Sequence, residues 1–89
     1  MTDRPASLLS FPCDFPIKAF GHSRDGFDRL IAEIVRRHAP DLGEDAIACR
    51  PSKGGKFTAI TITVRAVSQG QLDAIYRDLS ASPDIIMAL

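Results

Sequence analysis

One segment limits what this chain can fold into: Lys56-Phe57-Thr58-Ala59-Ile60-Thr61-Ile62-Thr63-Val64-Arg65-Ala66-Val67. Thr58, Ile60, Ile62, Val64 and Ala66 alternate with Ala59, Thr61, Thr63 and Arg65. That two-residue period turns one set of side chains to each face of a pleated strand. Most of its residues are β-branched, as a half-covered sheet surface favours. A lysine-glycine turn precedes the segment and a helix-start signal follows it. It reads as a central strand with Ile60, Ile62, Val64 and Ala66 against the core.

The flanking sequence supplies partners for that strand. Pro12 and Pro16 favour extended backbone, and Phe15–Phe20 reads as a first strand. Phe15, Ile17 and Ala19 share one face of it, Lys18 and Phe20 the other, and Gly21 closes it. Ser23 is the expected N-cap of a first helix, with Asp25 as rival cap. Phe27, Leu30, Ile31, Ile34, Val35 and His38 follow at helical spacing until Pro40. Asp41–Asp45 reads as a loop, Ala46–Arg50 as a short edge strand and Pro51–Gly55 as a turn. Ser68 and Gln71 form a capping box, after which Leu72, Ile75, Tyr76 and Leu79 mark a second helix. Beyond Pro83, Ile85–Leu89 reads as a last strand, apolar on both faces.

The order is therefore strand, helix, strand, strand, helix, strand. A chain of 89 residues buries only about 60–65% of its unfolded surface, enough for one two-layer core. Two helices with one apolar stripe each must then share one face of the sheet. Right-handed crossovers give an α+β, ferredoxin-like βαββαβ sandwich, a four-stranded antiparallel sheet whose first and third strands are central. Residues 11–89 form that single domain, and the polar residues 1–10 read as a flexible N-terminal segment.

Lysine plus arginine and aspartate plus glutamate number 11 each, so the formal net charge is zero. That balance argues against a nucleic-acid or membrane partner held by bulk charge, and it favours self-association. No secretory pattern and no apolar run near the ~20 residues of a membrane span are visible. Cys13 and Cys49 are too few and too far apart for a disulfide framework or a CxxC site. A cytoplasmic protein with reduced thiols is the reading.

With the core face fixed, Phe57, Thr61, Thr63 and Arg65 must point away from the helices, joined by Lys18 and Phe20. This helix-free face, extended by one side of the last strand, is more apolar than solvent contact explains. A homodimer interface, another protein partner or cover by the N-terminal segment would account for it.

The residues Phe11-Pro12, Phe15, Lys18, Gly21, Arg37-His38-Ala39-Pro40, Pro51-Ser52-Lys53-Gly54, Thr61-Ile62-Thr63, Tyr76, Leu79, Met87 and Leu89 resemble the YbeD-like family of small bacterial proteins, a family of unsettled function. The similarity runs from Phe11 onward. It implies the same sandwich, similar to the ACT-type domains that regulate metabolic enzymes by binding small effectors. By that analogy Gly21, His22 and Ser23, at the first strand-to-helix junction, are candidate effector-binding residues; a plain turn with its cap is the simpler role.

Ser52-Lys53-Gly54-Gly55-Lys56 could offer backbone amides and two ammonium groups to an anion, so Lys53, Gly54, Gly55 and Lys56 join the ligand-binding candidates. The segment lacks the spacing of a nucleotide-binding loop, and a hairpin turn with glycines at positive φ is the plainer account. His38 has no partner acid or nucleophile visible in the sequence. His22, His38, Cys13 and Cys49 lack the paired spacing of a zinc site, and no metal or cofactor is expected. The leading reading is a non-enzymatic regulatory or interaction module, self-associating and open to a small-molecule effector. The alternative is an RNA-binding module stacking bases on Phe20 and Phe57, weakened by the absent RNP1 pattern and the zero net charge.

Overall fold

The computed structural model describes residues 10–89. The expectation for Met1–Ser10 lies outside them, Ser10 apart. The elements run β1 (Cys13–His22), α1 (Phe27–Arg36), β2 (Ile47–Pro51), β3 (Phe57–Ala66), α2 (Gln69–Ala81) and β4 (Ile85–Ala88), with a short 3-10 turn at Glu44–Ala46 before β2. The sheet order is β2-β3-β1-β4, every pairing antiparallel. This is the ferredoxin-like βαββαβ fold, with β1 and β3 central and both helices on one face.

β1 and β3 pair without interruption from Cys13↔Ala66 to His22↔Phe57. β1 is therefore longer at both ends than the alternation of Phe15–Phe20 indicates. Pro16 lies inside this central strand, where a missing donor is usually damaging. Lys18 donates to the Leu89 carbonyl at 3.0 Å on the β4 side. The Pro16 nitrogen, two residues back, faces that same side, beyond the reach of the four-residue β4. The proline removes a donor that would have no strand acceptor among the described residues.

The parity of β3 follows the sequence. Ile60, Ile62, Val64 and Ala66 are buried, and Ile17 and Ala19 of β1 lie beside them. From above, Phe27, Ile31, Ile34 and Val35 of α1 and Leu72, Ile75 and Leu79 of α2 complete the core, with Ile85 at the β4 edge. These are the stripes that the helical spacing marks, except that Leu30 and Tyr76 are only half-buried.

Three local readings change. The N-cap of α1 is Gly26 at φ 80, with no side-chain cap, rather than Ser23 or Asp25. The Ser23 hydroxyl instead shares a 2.7 Å hydrogen bond with Thr58 of β3, and a left-handed residue at position 26 is what only glycine adopts freely. α1 stops at Arg36, two residues short of His38, in a turn closed by Ala39 N–H donating to Val35 O at 2.9 Å. In α2, Ser68 caps as foreseen, its hydroxyl accepting from Gln71 N–H at 3.1 Å. Gln71 answers one residue earlier than a capping box requires, its Oε1 accepting from Val67 N–H at 2.7 Å.

Gly21 is buried where β1 runs under the start of α1. A Cβ there would lie 2.5 Å from the Phe27 ring and against the Asp84 carbonyl. The ring is locked in the core, so Gly21→Ala is expected to cost roughly 1–3 kcal/mol through overpacking. A chemical melt with an unchanged midpoint would show that Phe27 can move aside. Ile62→Asp places an unpaired charge in the middle of the core and should leave no cooperative transition, against a total stability of ~5–15 kcal/mol. A native-like melt of that variant would invert the assignment of the two sheet faces.

Candidate functional site

The helix-free face is built by the second parity of each strand. β3 supplies Phe57, Ala59, Thr61, Thr63 and Arg65; β1 supplies Asp14, Pro16, Lys18, Phe20 and His22 as their register partners. β4 adds apolar surface through an irregularity: Phe20 pairs with Met87 and Gly21 with Ile85, so two residues of β4 stand opposite one of β1. Such a bulge sends Ile86 and Met87 to the same side as Phe20. Phe57, Ile86 and Met87 are 43%, 56% and 47% exposed, large fractions for side chains of this kind. Phe57 and Ile86, together with Phe20 and Ala59, border an apolar cleft of about 380 Å³, with Arg50 on its rim.

The β2–β3 hairpin closes one end of this face. Gly54 at φ 89 and Gly55 at φ 76 form the turn, while Ser52 N–H donates to Phe57 O at 2.7 Å, Gly55 N–H to Ser52 O at 2.9 Å and Phe57 N–H to Ser52 Oγ at 3.1 Å. These bonds engage amides that an anion cradle would have to offer. The strand-to-helix junction lies against the hairpin. Ser23 N–H donates to Lys56 O at 2.9 Å, and the His22 and Phe57 rings lie 5.0 Å apart. Two groups of residues separated by about thirty positions in sequence thus form one surface: His22 and Ser23 on one side, Lys53, Gly54, Gly55 and Lys56 on the other. Gly21 lies beneath it, facing Phe27. Arg24 is paired with Asp84 at 2.8 Å.

The opposite end is acidic. β2 stops at the level of Ile62, so β3 from Thr63 onward is flanked by the Asp41–Ala46 connection instead. A concavity of about 360 Å³ forms there, bordered by Asp41, Asp45, Thr63, Asp14 and Arg65. Arg65 Nη1 donates to Asp14 Oδ1 at 3.3 Å, and both side chains are exposed. Of the residues expected on an interface, Phe20 and Phe57 thus lie toward the hairpin, Lys18 and its register partner Thr61 lie midway, and Thr63 and Arg65 lie at the acidic end.

A further cluster was hidden from sequence reading. His38 Nε2–H donates to Asp78 Oδ2 of α2 at 2.7 Å, and Arg37 Nη1 stands 3.9 Å from the same oxygen. Gln71 Nε2–H donates to the His38 carbonyl at 2.8 Å. The partner acid of His38 lies forty residues away in sequence, on a polar flank of α2 that no periodicity distinguishes. Among the described residues no serine or threonine hydroxyl and no cysteine thiol is hydrogen-bonded to this pair, which clasps the turn after α1 to α2. The bond from His38 holds the Asp78 carboxyl below its ordinary value, against burial, with Arg37 and Arg77 adding to the effect. Burial pushes the Tyr76 phenol up. Among the described residues no three His, Cys, Asp or Glu side chains gather as metal ligands, and Cys13 and Cys49 are free thiols.

Residues 6–89 match the family described as "Protein of unknown function (DUF493)". The chain belongs to this family. The match begins five residues before Phe11, where the resemblance was expected to start. Among relatives, a UPF0250 protein of Chromobacterium violaceum is 47% identical over 89 residues and covers all of both chains. One from Paraburkholderia phytofirmans is 45% identical over 83 residues, 93% of each chain. Of solved structures, protein HP0495 from H. pylori superposes with a TM-score of 0.73 at 13% identity, over all of this chain and 98% of that one. The ACT domain from the GTP pyrophosphokinase of Chlorobium tepidum gives 0.55 at 20% identity, over 85% and 84%. Both likenesses are of fold, and they agree with the ACT-like architecture that the family resemblance implies. Among the described residues no helix is long and apolar enough to cross a membrane.

The depressed Asp78 acidity has a sign that can be tested. A carboxyl whose folded value lies below its unfolded one stabilises the fold above the unfolded value and loses that contribution as pH falls. Asp78→Asn is expected to melt earlier than wild type at neutral pH, with the gap closing as the pH is taken below about 4. A gap of constant size across that range would mean that the clasp acts through packing alone.

Proposed function

We propose that this protein is a cytoplasmic, non-enzymatic regulatory or interaction module that self-associates through its helix-free sheet face. One observation carries the reading: exposed Phe57, Ile86 and Met87 beside half-buried Phe20, on a face that no element of the described chain covers. Burying one such side chain contributes roughly 1.5–3 kcal/mol, and a symmetric pair buries each of them twice. The zero net charge leaves no long-range repulsion between copies.

An effector site belongs to the same reading. His22, Ser23, Lys53, Gly54, Gly55 and Lys56 converge at the hairpin end of the face, next to the apolar cleft, so a small anion bearing an apolar group would meet cations and aromatic surface together. Likeness in fold to an ACT domain of a GTP pyrophosphokinase supports a regulatory role over a catalytic one.

Phe20→Glu combined with Phe57→Glu should lower the mass seen in light scattering while leaving the helical circular-dichroism signal intact. Two charges on an uncovered face do not disturb the core beneath the helices. A wild type that stays monomeric at high concentration would defeat self-association and hand the face to another protein or to residues 1–9. Unfolding of the double variant would place the phenylalanines in the core.

A further inference from the structure

The two ends of the open face carry opposite charge. At the hairpin end stand Lys53 and Lys56, neither in an ion pair among the described residues, against Asp25. At the other end Asp41 and Asp45 are likewise unpaired among the described residues, beside the mutually neutralised Asp14 and Arg65. A ten-residue strand separates these ends by ~33 Å, several Debye lengths at physiological salt, so each end acts as its own patch. The charges that sum to zero over the whole chain are sorted by position.

From this sorting we infer that two copies pack face to face with their strands antiparallel, the hairpin of each reaching the acidic concavity of the other. The arrangement rests on the self-association proposed above and specifies its geometry. A two-fold axis between the faces has two simple orientations. Along the strands it would exchange the sheet edges and set each hairpin over the β1–β4 side of the other copy, away from the acidic concavity. Across the strands it exchanges the ends, so Lys53 and Lys56 meet Asp41 and Asp45.

Connectivity fits the second orientation. An axis across the strands keeps β2 opposite β2. The hairpin leaves β2 at one end, and the Asp41–Ala46 connection enters it at the other, so the rotation brings one over the other. Phe20 and Ala59 are register partners, with Met87 beside Phe20. An axis at their level stacks the two apolar clusters on each other and carries the hairpin over the Thr63–Arg65 end. Arg50, the register partner of Ala59, lies at that level as well, so the two copies' Arg50 side chains come near each other at the exposed edge of the pair. The strands, ten, five, ten and four residues long, rise ~3.3 Å per residue at ~4.8 Å spacing and offer roughly 460 Å² per copy. About 900 Å² for the pair is the size of a weak, reversible interface, to which each hairpin adds its contact with the opposite concavity.

The test is a charge exchange followed by sedimentation equilibrium on the full chain. Lys53→Glu with Lys56→Glu should weaken self-association roughly ten- to a hundredfold, and Asp41→Lys with Asp45→Lys should do the same. These positions are exposed and the turn glycines are untouched; circular dichroism checks that each variant is folded. Mixing the two variants should recover affinity, because a mixed pair has one native and one exchanged contact, both attractive. Wild-type association should also weaken as salt is raised, a readout that needs no substitution. If Lys53→Glu with Lys56→Glu leaves the dimer unchanged or tightens it, the antiparallel arrangement is wrong while self-association stands. If the mixture fails to recover, the two patches do not meet. A monomeric wild type removes the arrangement together with the reading beneath it.

Discussion

Everything in this molecule hangs on the uninterrupted pairing of β1 with β3. Ten consecutive register partners tie the first strand to the third, and the second and fourth attach only to parts of them. The pleat of this ladder fixes which side chains enter the core and which are left outside. Because the period is two, the buried set Ile60, Ile62, Val64 and Ala66 and the outer set from Phe57 to Arg65 are one decision. The hydrophobic core and the candidate site are therefore opposite sides of the same strands.

That coupling explains what the sequence disclosed. The alternation in β3 and the stripes of both helices gave the layers, the strand order and the face on which Phe20 and Phe57 stand. The helix signal at Ser68 was equally direct, since cap and stripe lie within a few residues of each other. Readings that depended on a single local preference fared differently. Ser23 suits an N-cap by type, but Thr58 of β3 competes for its hydroxyl and wins, leaving the cap to a glycine in a left-handed conformation.

The features that stayed hidden are all long-range. The contact between the strand-to-helix junction and the hairpin, the pairing of His38 with Asp78 and the bulge that turns both Ile86 and Met87 outward have no periodic trace. Each depends on where two elements meet after the sheet has formed. The apolar character of Ile85–Leu89 was plain, but its second face could be weighed only once the register with Phe20 was known. The family resemblance strengthened the fold and left these contacts unaddressed.

The shortness of β4 has one more consequence. It covers β1 only from Lys18 to Gly21, which leaves the outer margin of β1 from Cys13 to Ile17 without a neighbouring strand among the described residues. Unprotected margins of this kind recruit strands from other molecules and seed fibrils. Residues of the parity of Lys18 turn their amides to this side, and two of them, Pro12 and Pro16, have no N–H to give. An incoming strand would find Asp14 alone as a donor, with a carboxylate beside it. The prolines that mark the chain as extended thus also withhold donors from an incoming strand along this margin.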